Sequence, residues 1–230
     1  MPRTIARALL LWLLALAATA LLVAVSYLWL DRPIAFFVHA HLRPVRLNGL
    51  DLLARVPDPL IPVAVVLLLF EALRILWRLR LNMHHRVACV CGLSILVAEA
   101  IKNQLKFVFG RSWPTSVGND RPSLIGDGTY GFHWLQTGGS YDSFPSGHMG
   151  AACAMLSVLW LCYPRGRPLW AAAALAVAAA LIGGNYHFLG DVIAGAFVGS
   201  SVGLAATGIL RGWIFQDRLR PQRGGRRSPP

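Results

Sequence analysis

From Ala8 to Leu30 the chain runs for 23 residues without a charged side chain, and about 20 such residues in a helix cross the roughly 30 Å hydrocarbon core of a bilayer. Lipid offers the backbone no water to bond, so a run of this kind satisfies its own polar groups as a helix. Five further apolar segments follow: Leu60 to Trp77, Val87 to Phe109, Met149 to Tyr163, Leu169 to Tyr186 and Val192 to Leu210. The expected fold is all-α, a polytopic membrane helical bundle with six transmembrane helices. Composition agrees, because 56% of the residues are hydrophobic and 14% charged, too apolar for an ordinary soluble domain. Arg3, Arg7 and Ala18-Thr19-Ala20 resemble the ends of a cleaved signal peptide. The apolar region of such a peptide spans only about 7–15 residues, so the run is read as the first span.

The net charge of +12 comes from arginines clustered at the ends of apolar runs, not from a basic face interleaved with aromatics. Nucleic acid is therefore excluded as a partner, and the charge is read as topogenic. Arg74, Arg78, Arg80, Arg86, Arg165, Arg167 and Arg211 fall on the same side as the N-terminal arginines. That side is expected to be cytoplasmic, with both termini on it, in the manner of a bacterial inner membrane protein. Residues 1–213 are expected to form one transmembrane domain with its motif-bearing core at 87–210, and 214–230 a basic, disordered cytoplasmic tail. Within the outer segment from Asp31 to Pro59, a short interfacial helix is expected around Val45 to Val56 and no chemistry is assigned. Cys89, Cys91, Cys153 and Cys162 lie inside spans and read as small buried hydrophobes. Gly195, Gly199 and Gly203 form a smooth stripe for close helix packing.

Three polar elements fall on the outward side. His187 and Asp191 are spaced i, i+4, so a carboxylate can fix one imidazole nitrogen and leave the other nucleophilic. A structural hydrogen bond at a helix start explains an isolated pair of this kind equally well. Pro145-Ser146-Gly147-His148 stands where an apolar helix begins, and the N–H groups of such a start form a cradle for an anion. The hydroxyl of Ser146 adds a donor, and His148 is placed to protonate a leaving oxygen. The alternative is an ordinary helix start with an interfacial histidine. Glu99, Lys102 and Lys106 interrupt the third span before Gly110-Arg111-Ser112-Trp113-Pro114. Lys102 reads first as the ion-pair partner of Glu99, and Lys106 either reaches to the interface or, with Arg111, binds phosphate.

These elements resemble the type-2 phosphatidic acid phosphatase family, the membrane branch of the acid phosphatase and vanadium haloperoxidase superfamily. The resemblance covers roughly Val87 to Leu210. The family's Pro-Ser-Gly-His motif is intact at Pro145 to His148, and its terminal His-x3-Asp is matched by His187 and Asp191. The resemblance implies that His187 is the nucleophile, Asp191 its orienting carboxylate, and His148 the general acid and later base. It makes Ser146 and Gly147 phosphate ligands. Two positions depart from the pattern. In Lys-x6-Arg-Pro, Lys106 and Pro114 fit but Trp113 stands at the arginine, with Arg111 two residues earlier. Where the last motif opens with Ser-Arg, this chain has Ala180 and Leu181. One guanidinium of the pattern is thus absent, with Asn185 or Arg121 available to fill its place.

The implied function is hydrolysis of a lipid phosphate or pyrophosphate monoester at the outer, periplasmic face. A phosphohistidine intermediate carries it, with no metal or organic cofactor, and the partners are the lipid phosphate substrate and the surrounding lipids. Two other readings stay open: phosphotransfer to a second lipid hydroxyl, and a non-catalytic lipid-phosphate binder that keeps the fold. Vanadate-dependent halide oxidation belongs to soluble relatives and is a distant third.

Overall fold

The computed structural model describes residues 3–42, 48–116, 121–135 and 139–215. The expected tail falls, from 216 onward, outside the described residues, whereas Ile214 is fully buried against Val87 and Val90. Among the described residues the regular structure is helical. Helix α1 (Arg3–Val25) passes through a π-turn (Ser26–Leu30) directly into α2 (Asp31–His41), and α3 (Asn48–Arg55), α4 (Leu60–Leu76), α5 (Met83–Phe109) and α6 (Gly147–Cys162) follow. A 3₁₀ turn at Pro164–Gly166 leads to α7 (Arg167–Gly183), then α8 (Leu189–Ile209) and the short α9 (Arg211–Ile214). The expected outer loop beginning at Asp31 is instead helix as far as His41. Pro33 falls in the first turn of α2, where proline is tolerated, and the π-turn before it lets the helix continue past the charge.

Among the described residues five stretches are long and apolar enough to cross a membrane: Ile5–His41, Leu52–Leu76, Met83–Phe109, Pro164–Gly183 and Leu189–Ile209. The remaining expected span, the fourth in chain order, is α6 with only 16 residues, about 24 Å at 1.5 Å per residue. It lies at the centre of the bundle, where Ala151, Ala152, Ala154 and Val158 are buried by neighbouring helices. Leu14, Leu21, Val66, Leu69 and Leu76 on α1 and α4 are exposed, an apolar surface that lipid covers. The four cysteines are buried and free.

Helices α6 and α8 pack backbone against backbone, and glycine makes it possible. A Cβ on Gly199 would overlap the carbonyl oxygen of Gly150, and one on Gly195 would overlap that of Ser146. Small residues at a four-residue interval let two backbones meet in this way. The contact continues to the start of both helices. The N–H of Ser146 donates to the carbonyl of Asp191 at 3.0 Å, so the start of α6 is fixed to the start of α8. Helix α1 closes against α8 through Trp12, whose indole donates to Ser201 Oγ at 3.0 Å.

Candidate active site

One end of the bundle gathers the start of α6, the start of α8, the end of α5, the α1–α2 junction and the turn before α4. His187 precedes α8 by two residues and Asp191 is the third residue of that helix. The sequence expectation put both on one helical face. In the structure the helix begins after the histidine, and Asp191 turns back toward it. Asp191 Oδ2 accepts from the N–H of Phe188 at 3.0 Å and from the hydroxyl of Ser143 at 2.6 Å. His187 Nδ1 lies 3.6 Å from the same oxygen and 3.4 Å from Ser143 Oγ. The first distance is that of an ion pair, longer than a hydrogen bond, so Ser143 shares the task of holding the ring. With Nδ1 on the carboxylate side, Nε2 is the nitrogen left for the cavity that His187 lines. Burial pushes the His187 pKa down, against the opposing pull of the negative Asp191 carboxylate beside it.

His148, the second residue of α6, faces His187 with ring centroids 6.3 Å apart. Its Nε2 lies 2.6 Å from Asp58 Oδ1, in the turn between α3 and α4. Between the two rings opens a cavity of about 330 Å³, lined also by Lys102, Lys106, Trp113 and Arg121. Lys102 pairs with Glu99 as the sequence suggested. Its stem crosses the start of α6 so closely that a Cβ on Gly147 would come within 2.8 Å of it. The indole of Trp113 packs at 5.3 Å from the His187 ring, with the Arg121 guanidinium 5.1 Å and the Lys106 ammonium 5.8 Å from the indole.

The structure moves two expected phosphate contacts. Arg111 has no exposed surface and is not among the cavity-lining residues. One terminal nitrogen donates to Asp191 Oδ1 and the other to Asp31 Oδ2, each at 2.6 Å. Its guanidinium is spent on two carboxylates, so Arg121 is the cavity's guanidinium in its stead. Burial opposes the charge on Arg111, but the two carboxylates outweigh it and hold the pKa above its ordinary value. Ser146 is likewise fully buried, with its hydroxyl turned to the helix as a cap that accepts from the N–H of Met149 at 3.5 Å. Gly147 does line the cavity. Asn185 is buried, with its amide donating to the carbonyl of Ala35 at 3.0 Å, and Leu181 is core.

Sequence reasoning missed Asp31, Ser143 and Asp58. Asp31 and Asp58 fall in the outer segment to which the sequence assigns no chemistry, and only their three-dimensional partners distinguish them. Ser143 carried a usable signal, since it stands two residues before the Pro-Ser-Gly-His motif.

A helical membrane bundle that sets a buried His–Asp pair opposite a second histidine, across a hollow lined with cations, belongs among proteins that handle anions at a membrane face. The family model described as PAP2 superfamily matches residues 88–215, and the chain is a member of that superfamily. No curated protein matches the chain. Among solved structures it is similar to a transmembrane PAP2-type phosphatidylglycerolphosphate phosphatase from Bacillus subtilis. The two share 16% identity at a TM-score of 0.50, over 92% of this chain and 98% of the other. At that identity the likeness speaks for the shared fold.

Proposed function

We propose that this PAP2 superfamily protein is a membrane-embedded phosphatase that hydrolyses a lipid phosphate or pyrophosphate monoester through a phosphohistidine. The observation that carries the reading is the pairing of His187 and His148 across one cavity that also holds Lys102, Lys106 and Arg121.

His187 Nε2 attacks phosphorus in line while Asp191 and Ser143 hold the opposite nitrogen. The bond to the leaving lipid oxygen breaks as His148 gives that oxygen its proton. His148, now neutral and steadied by Asp58, takes a proton from water. The resulting hydroxide displaces His187 and releases inorganic phosphate. Lys106, Arg121 and the N–H groups at the start of α6 neutralise the equatorial oxygens. Positioning and charge stabilisation of this kind dominate phosphoryl transfer.

The cavity lies at the bundle end away from Arg74, Arg165 and Arg211, which supports an outward-facing site under the positive-inside rule. A headgroup entering at the helix ends keeps its tails in the bilayer, which favours lipid substrates over soluble esters.

The test is phosphate release by purified protein in detergent from dioctanoyl phosphatidic acid, dioctanoyl phosphatidylglycerol phosphate and a polyprenyl diphosphate. Wild type releases phosphate from at least one of them, His187→Ala from none, and His148→Ala far more slowly. Undiminished release by His187→Ala overturns the mechanism. Label that passes from substrate to a second lipid instead of to water identifies a transferase.

A further inference from the structure

The region matched by the family model begins at residue 88, yet a side chain from well before it reaches the reacting pair through one buried arginine. We propose that Asp31 and Arg111 form a relay that positions Asp191, and through it His187, so that the junction of α1 and α2 is a working part of the active site. The proposal rests on the functional reading only in taking His187 and Asp191 as the reacting pair.

The geometry is closed at every link. Ser26 Oγ donates to Asp31 Oδ1 at 2.6 Å, and the N–H of Gly190 donates to the same oxygen at 3.1 Å. Asp31 Oδ2 and Asp191 Oδ1 then take the two ends of the Arg111 fork. Asp31, Arg111 and Asp191 are all within 1% of complete burial. The guanidinium also lies within 4.5 to 5.6 Å of the ring centres of Tyr27, Tyr130, Phe132 and Phe188. Only a planar fork serves two carboxylates at once while stacking on aromatic faces, so lysine cannot stand in. The π-turn at Ser26–Leu30 belongs to the same device. Turns of this kind recur at functional sites, and here it brings the hydroxyl of Ser26 onto the carboxylate of Asp31 as the helix continues.

Two buried carboxylates around one guanidinium leave the cluster one negative charge in excess. Burying charge without a partner is costly. The excess is matched when His187 becomes a phosphoimidazolium, because the positive charge then arises beside Asp191. The cluster is therefore biased toward the phosphorylated state of His187, and Arg111 limits the bias by drawing on both carboxylates. Asp31 and Arg111 are positioning residues and touch no reacting atom.

The groups facing His187 are Asp191 from α8, Lys106 from α5, His148 from α6, and Arg121 from the loop after α5. Lys102, Glu99, Asp58 and Tyr186 line the same cavity. Against that fixed background, two substitutions move the field at His187 in opposite senses. Asp31→Asn frees Arg111 to act wholly on Asp191, so His187 titrates at lower pH than in wild type. The double variant Asp31→Asn/Arg111→Met removes one charge of each sign and leaves Asp191 without a counter-charge. His187 then titrates at higher pH.

The measurement is ¹⁵N NMR of histidine-labelled full-length protein in detergent micelles, with the His187 signal assigned by its loss in His187→Asn. Opposite shifts support the relay, and shifts of the same sign, or none, overturn it. Phosphate release from the best of the three lipid phosphates supplies the second readout. Asp31→Asn lowers kcat by about tenfold with KM unchanged, the lower end of what losing a supporting contact to an active-site group costs. A matched rise in KM instead counts against positioning. If wild type releases no phosphate while the two NMR shifts oppose each other, the relay stands and the hydrolytic reading falls.

Discussion

Trp113 occupies the position of the family motif's arginine, and Arg121 lies against its indole on the wall of the same cavity. On the proposed function, a guanidinium delivered from elsewhere in the chain does the work of the motif's arginine, because a phosphoryl group responds to the position of a charge and not to its place in sequence. Arg121→Ala is expected to lower kcat/KM for lipid phosphate release by about 10²-fold, the cost of losing one such donor. Adding Trp113→Arg to that variant is expected to restore part of the loss, which steady-state kinetics on the four combinations reads directly.

His187 supplies a pH prediction. Its pKa lies below the ordinary value because burial disfavours the imidazolium, and in the proposed mechanism the attacking species is the neutral ring. Activity is therefore lost as pH falls through that lowered pKa, so the acid limb of kcat/KM is expected below about pH 6.5, the unperturbed histidine value. The linkage to stability has the same sign. Above about pH 6.5 the ring is neutral in both folded and unfolded chains and contributes nothing. Below it, the unfolded chain takes a proton that the folded one resists, so stability falls with pH until the folded ring itself protonates. Thermal unfolding of wild type and His187→Gln between pH 5 and 8 checks this, with the gap between them changing only on the acid side.

At the level of helices, the distance between the two histidines is set by the seam of α6 against α8. Gly199→Val puts side-chain atoms where the carbonyl of Gly150 stands, and neither backbone can yield without moving the start of its helix. Overpacking of this order costs about 1–3 kcal/mol. Both a lower unfolding temperature and a larger proportional loss of activity are expected. Gly208 is on the same helix with nothing near its missing side chain, so Gly208→Ala is the control and is expected to leave both unchanged. The stripe of glycines was legible in the sequence because it repeats every four residues. The shortness of α6 was legible as well, although only the structure shows that its neighbours, more than lipid, surround it.

For the molecule as a whole, the arginine-rich ends and the cavity lie at opposite ends of the bundle. In a variant lacking the four native cysteines, Thr129→Cys is expected to react with a membrane-impermeant maleimide on intact cells. Arg165→Cys is expected to react only after permeabilisation. Equal labelling of both on intact cells removes the proposed orientation. Removal of residues 1–41 leaves the family-matched region whole but takes away Ser26 and Asp31, and phosphate release is expected to vanish with them.

Sequence alone determined that the chain is a helical membrane bundle, because 23 uncharged residues in lipid have no other way to satisfy their backbone. It also singled out His148, His187 and Asp191, because their types and spacing carry a chemistry. What it left open was the role of charges at the ends of apolar runs, where a topogenic residue, an interfacial anchor and a buried ligand look alike. Arg111 read as a phosphate contact and Asp31 as a loop charge, yet they bond one another. Arg111 stands 80 positions from both Asp31 and Asp191. Local periodicity carries no information over such a separation. Only the packing of α1, α2 and α8 around one guanidinium decides which carboxylates it meets.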